Sequence, residues 1–161
     1  MNLDNKKEGS LIIFLDRGES LSPFDIINAA SRLSLSPKVI MRTGRDIDKR
    51  YARVLGARAI STDELFNTGV GSGSIVITER PLGVLAALRL SLPAYFYSGS
   101  RELCELSALL CPPSKLGRML IPYHRGRADA IASPVIFSHE FRETRRWLDR
   151  EINALVDVIF K

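Results

Sequence analysis

The sequence predicts an α/β domain: a mostly parallel sheet with helices on both faces and a long C-terminal helix. Three observations carry this expectation. Short, nearly continuous apolar runs such as Leu11 to Leu15 and Ile75 to Thr78 alternate with amphipathic stretches. That is the pattern of strands buried on both faces and joined by crossover helices. Glycine, proline and small polar residues punctuate the joins. Near the end, Phe137, Phe141, Leu148, Ile152, Leu155 and Ile159 fall on one helical stripe, opposite Arg142, Arg145, Arg146 and Arg150.

Leu11 to Leu15 reads as the first strand, closed by the turn residues Asp16 to Ser20. Ser22 offers an N-cap and Pro23 a first helical position, with Phe24, Ile27 and Ala30 at helical spacing. Ser36 and Pro37 break that helix, and Val39 to Met41 begins a second strand. Asp48 to Leu55 is a second helix, ended by Gly56. Arg58 to Ile60 is a short third strand; Thr62, as N-cap, opens a helical turn to Phe66. After a glycine-rich connection, Asn67 to Ser74, come a strand at Ile75–Thr78, a helix at Leu82–Leu90 and a strand at Pro93–Tyr97. Arg101 to Leu110 is a further helix and Met119 to Ile121 a sixth strand. The order is that of a Rossmann-like domain.

With 161 residues, 45% hydrophobic and 25% charged, the chain suffices for one core, taken as residues 11–161 behind a flexible segment 1–10. This balance excludes a disordered chain, a collagen-like repeat and a coiled coil. The start mixes acidic and basic residues, and no window is long and apolar enough to span a bilayer, so a cytoplasmic protein is expected. Cys104 and Cys111 read as free buried thiols. The net charge of +5 suits an anionic partner without specifying which one.

Ligands of open parallel sheets bind at the carboxyl ends of the strands. Four loops there combine glycine with arginine: Arg17 and Gly18, Arg42 and Gly44, Arg80 and Gly83, and Gly99 and Arg101, with Thr78 and Ser98 at the strand ends. Glycine lets backbone amides approach a ligand, and arginine grips phosphate or carboxylate bidentately. The bland alternative pairs each arginine with a neighbouring acid: Asp16, Glu19, Asp46, Glu79 or Glu102. Glu79 is the candidate general base at this edge. Gly69 to Gly73 precedes a strand, which is the wrong context for a phosphate loop. No metal-ligand spacing, cofactor signature or G-x-S-x-G elbow is present. Lys115, Arg118, Arg125 and Arg127 form an acid-free basic stretch around Tyr123 and His124. It supports an alternative function, a non-catalytic module binding a partner protein or nucleic acid, with nucleic acid the less favoured partner.

Residues 74–93 resemble the strand–turn–helix–strand core in the C-terminal half of GT-B-like transferases. The pattern is similar to that of the polysaccharide pyruvyltransferase family, with Thr78, Glu79, Arg80, Gly83 and Pro93 on its signature. Leu82 stands where that family has histidine, and Ser91 where it has glycine. A looser similarity to small donor-binding subunits of two-subunit glycosyltransferases rests on Pro23 to Asp25, Arg42 to Gly44 and Glu102 to Leu106. The resemblance implies half of a two-domain enzyme of surface-polysaccharide metabolism, completed by a second subunit or a self-dimer. Its ligand would be a nucleotide sugar or phosphoenolpyruvate. Arg80 and Arg42 would neutralise the donor phosphate and the helix at Gly83 would present amides.

Overall fold

The computed structural model describes residues 8–110, 119–132 and the helical residues 146, 147, 149–151, 153, 154, 157 and 158. Six strands form one fully parallel sheet: β1 (Ser10–Phe14), β2 (Ser36–Ile40), β3 (Arg58–Ile60), β4 (Ile75–Thr78), β5 (Ala94–Tyr97) and β6 (Leu120–Tyr123). Their spatial order is β3-β2-β1-β4-β5-β6. The chain winds outward from β1 in one direction and then, from β4, in the other. A topological switch point therefore lies between β1 and β4.

Side-chain alternation divides the core in two. Leu11, Ile13, Ile75, Ile77, Tyr95 and Tyr123 face one side, covered by α1 (Pro23–Leu33), α2 (Asp46–Leu55) and a 3-10 turn at Ala128–Ala130. Ile12, Phe14, Val76, Ala94, Phe96 and Leu120 face the other, covered by α3 (Thr62–Thr68), α4 (Pro81–Leu90) and α5 (Arg101–Leu110). Both faces of β1 are sealed, which is why its five residues are all buried and its apolar run is unbroken.

Local chemistry sets the boundaries. Ser22 and Asp25 form a reciprocal capping box ahead of Pro23. Gly56 ends α2 in the left-handed conformation. Ser34 and Ser91 end α1 and α4 in the same conformation without being glycine, and their backbone N–H groups still close the last turn. The expected cap of α3 moves by one residue: Ser61, not Thr62, accepts from the Glu64 amide, and the helix runs on to Thr68. The β6 strand begins and ends later than its apolar core suggests and reaches Tyr123.

Cys104 is an exposed free thiol, against the expectation of burial, because it lies on the solvent side of α5. Cys111, Lys115, Arg118 and the apolar stripe expected of a terminal helix lie outside the described residues, as do residues 1–7 of the expected flexible segment. Among the described residues, no helix is long and apolar enough to cross a membrane.

Candidate functional site

The carboxyl edge at the switch point is built by the β1–α1 loop and the segment after β4. Glu79, buried and directly after β4, turns toward the β1–α1 loop and accepts four hydrogen bonds. The amides of Asp16 and Gly18 donate to Oε1 at 2.9 Å each. The amide and hydroxyl of Ser20 donate to Oε2 at 3.0 and 2.5 Å. Bonds to a carboxylate are each worth about 1.5–3 kcal/mol, so this carboxylate organises the loop. The amides that could cradle a phosphate at the switch point face a built-in anion instead. Gly18 has a left-handed backbone and no room for a side chain, since a Cβ would sit 2.9 Å from both Ile47 and the Tyr51 ring. Tyr51 donates its hydroxyl to the Gly18 and Leu21 carbonyls.

Behind Glu79, the Ser20 hydroxyl lies 2.6 Å from that of Tyr123, whose ring stacks on Tyr97 at 5.9 Å. Burial raises the phenol pKa of Tyr123, opposed by its Ser20 hydrogen bond. Tyr51 is raised by burial and by the Glu79 and Asp25 charges.

Arg42 and Arg80 occupy the same edge in opposite circumstances. Arg42 is locked to Asp48, a fully buried carboxylate on α2. Its Nε and one terminal nitrogen donate at 3.1 and 3.0 Å, and its own backbone amide at 3.0 Å. It also reaches the Asp16 carbonyl at 2.9 Å and pairs with the Asp16 carboxylate at 3.5 Å. The hydrogen bond that Arg42 donates to Asp48 raises the Arg42 pKa, against the effect of burial. Arg80 lies over the Phe14 ring, 5.3 Å from its centroid, with Nε and one terminal nitrogen buried and without an acceptor. Burial lowers its pKa, and the nearby Arg42 charge lowers it further, partly offset by Asp48 and Asp16.

The remaining expected site residues divide between packing and surface. Thr78 is buried; its hydroxyl donates to the Arg80 carbonyl at 2.6 Å and accepts from the Arg80 amide at 2.9 Å, fixing the entry to α4. A Cβ on Gly83 would lie 2.1 Å from the Thr78 hydroxyl oxygen. Gly83 is thus the point of closest approach between α4 and the sheet, and its amide donates to the Arg80 carbonyl. Arg17 and Gly44 are exposed, the latter with a left-handed backbone and open space around it. Arg101 pairs with Glu105 one turn along α5, at 2.9 Å. Ser98 meets His124, its hydroxyl 3.0 Å from Nδ1.

Extending the strand register past its last paired residues places Arg42, Asp16, Arg80, Ser98 and His124 in one row across the carboxyl edge. Neighbours in such a row stand about 4.8 Å apart. Arg80 follows the strand alternation and lies over Phe14 on the α3–α4–α5 side, whereas Arg42 turns to Asp48 on α2. The sequence places Asp48 only at a helix start and His124 only in the basic stretch, not at this edge. Asp48 is an unremarkable first-turn helix acid, whereas His124 would have joined the edge residues had β6 been extended to Tyr123.

In the basic stretch, Arg127 is engaged by Asp129 through two hydrogen bonds of 3.0 and 3.1 Å. Arg125 is exposed. Among the described residues, no group of three His, Cys, Asp or Glu side chains could hold a metal ion. Compared with known proteins, the chain matches no family model, no curated protein and no solved structure.

Proposed function

We propose that the chain binds a small phosphorylated or carboxylated molecule at the β1/β4 switch point, with Arg80 as its anchor. The observation that supports this reading is the Arg80 guanidinium, desolvated over Phe14 with two nitrogens lacking an acceptor. A shielded cation without a partner is costly to retain, and an anionic ligand would supply the missing acceptor. Arg45 adds to the positive field felt at Arg80, and Arg17 stands exposed on the β1–α1 loop. Because Glu79 engages that loop's amides, recognition would be by guanidinium rather than by a glycine-rich cradle. Glu79 acts as a brace for the loop, since both of its oxygens are engaged.

The resemblance of residues 74–93 supplies the biochemical setting. The chain would be the donor-binding half of a GT-B-like transferase of surface-polysaccharide metabolism, with a nucleotide sugar or phosphoenolpyruvate as ligand. An acceptor-binding subunit or a second copy of the chain would complete the cleft. Arg80 would neutralise donor charge in that cleft, an effect that strengthens as water is excluded.

Thermal-shift and calorimetric titration with nucleotide sugars, phosphoenolpyruvate and inorganic phosphate test the reading. At 100 times Kd a ligand stabilises by about 2.7 kcal/mol, a rise of roughly 5–10 °C for a chain of this size. Arg80→Met, which keeps the packing on Phe14, should abolish the rise. No shift with any of these ligands, or an equal shift in the variant, would overturn the proposal.

A further inference from the structure

We propose that Ser98 and His124 form a nucleophile–base pair that accepts an acyl group, a catalytic site separate from the anion grip of Arg80. Ser98 is the first residue past β5 and lies just before α5, so its hydroxyl stands at a strand-to-helix turn on the carboxyl edge. His124 is the first residue past β6. The ladder continues to this point, with the Ser98 amide donating to the Tyr123 carbonyl at 3.0 Å. The two side chains are therefore held by adjacent, paired strands rather than by free loops, and they meet at 3.0 Å. That distance is within the reach a base needs to take a hydroxyl proton.

Three further features suit the turn to acyl chemistry. The Ser98 carbonyl accepts from the Cys104 thiol, which fixes the backbone on the far side of the nucleophile. Gly99 follows directly, packed under the Tyr97 ring where a Cβ would lie 2.4 Å from it. Among the described residues, the amides of Gly99, Arg101 and Glu102 donate to no protein acceptor, whereas Leu103 and Cys104 donate to Ser100. Free amides beside the nucleophile at a helix start are the donors that an oxyanion requires. No carboxylate among the described residues bonds the second nitrogen of His124, so the pair works as a dyad.

The step balances within the chain and its substrates. The Ser98 Oγ attacks the carbonyl carbon of an ester as its proton passes to His124 Nδ1. The tetrahedral intermediate collapses by breaking the bond to the leaving alcohol, which takes the proton back from His124. Water or an acceptor hydroxyl then attacks the acyl-serine, giving its proton to His124 and releasing Ser98 as the hydroxyl.

An alkyl fluorophosphonate probe tests the pair directly. The serine oxygen replaces fluoride at phosphorus, and peptide mapping by mass spectrometry locates the adduct. The full chain is used with Cys104→Ser in the background, which removes the neighbouring thiol. Labelling is expected at Ser98, absent in Ser98→Ala, and slowed about 100-fold in His124→Gln. Labelling needs no anionic ligand, so failure of the anion site in the thermal-shift titration and failure of the dyad here give different results. No adduct at Ser98, or undiminished labelling of a folded His124→Gln protein, would overturn the proposal. Circular dichroism of each variant verifies folding.

Discussion

The carboxyl edge of this sheet has two halves that solve the same electrostatic problem differently. Around β1 and β2 the two buried carboxylates, Glu79 and Asp48, are answered from within. Glu79 collects the loop amides, and Asp48 and Asp16 collect Arg42. From Arg80 outward to β5 and β6, two Arg80 nitrogens lack an acceptor, Ser98 and His124 meet only each other through their side chains, and the amides of Gly99, Arg101 and Glu102 donate to no acceptor among the described residues. A closed network rigidifies, whereas an open one is available to a ligand. Arginine and glycine occur in both halves, so composition alone does not distinguish a brace from a grip.

The contrast can be broken most severely on the closed side. Glu79→Ala strips the acceptor from three amides and a hydroxyl at once, and Asp48→Ala leaves Arg42 without its buried partner. Each is expected to cost about 3–5 kcal/mol in denaturant-induced unfolding. A loss below about 1 kcal/mol would show that the network is slack. Gly83→Ala drives a methyl group into Thr78 and is expected to cost about 1–3 kcal/mol by overpacking.

On the open side the sign reverses. Arg80→Met removes a desolvated cation that lacks an acceptor, so the unliganded variant should gain stability, by about 1 kcal/mol. A loss of similar size would mean that Arg80 serves the fold rather than a ligand. Arg101→Ala, at an exposed one-turn ion pair, should change stability by less than about 0.5 kcal/mol.

The buried phenols behind Glu79 add a pH signature. The folded-state pKa values of Tyr51 and Tyr123 are raised, so the folded chain retains their protons above the pH where unfolded tyrosine ionises. Their stabilising contribution is complete below about pH 10 and falls as pH rises past it, by up to about 1.4 kcal/mol per pH unit for each tyrosine. Equilibrium unfolding between pH 9 and 11 should show this decline, and Tyr123→Phe should flatten it.

The elements were legible because their signals are local. The β3, β4 and α5 boundaries match the apolar runs and caps that announce them, and Gly56 and Ser22 act where their chemistry suits them. The α3 cap was misplaced because Ser61 and Thr62 are chemically equivalent as caps, and only backbone geometry chooses between them. Thr78, Arg80 and Ser98 were correctly placed at the carboxyl edge, since a strand's end locates its next residue. The partners of Glu79 and Ser98 were hidden because they arrive across the sheet. Ser20 meets Glu79 from 59 positions away, and His124 meets Ser98 from 26.

The sequence by itself determined the α/β class, the parallel sheet and which residues stand at its carboxyl edge. Hydrophobic periodicity and turn chemistry act over a few residues, and parallel strands always bring their carboxyl ends to one side. Only the tertiary structure decided which arginine is neutralised and which is left open. That outcome depends on strand order and register, which set Arg42 against Asp48 and Asp16 and left Arg80 over Phe14. Charge pairing is a matter of angstroms, and it cannot be read from neighbours in the chain when the partners arrive from other elements.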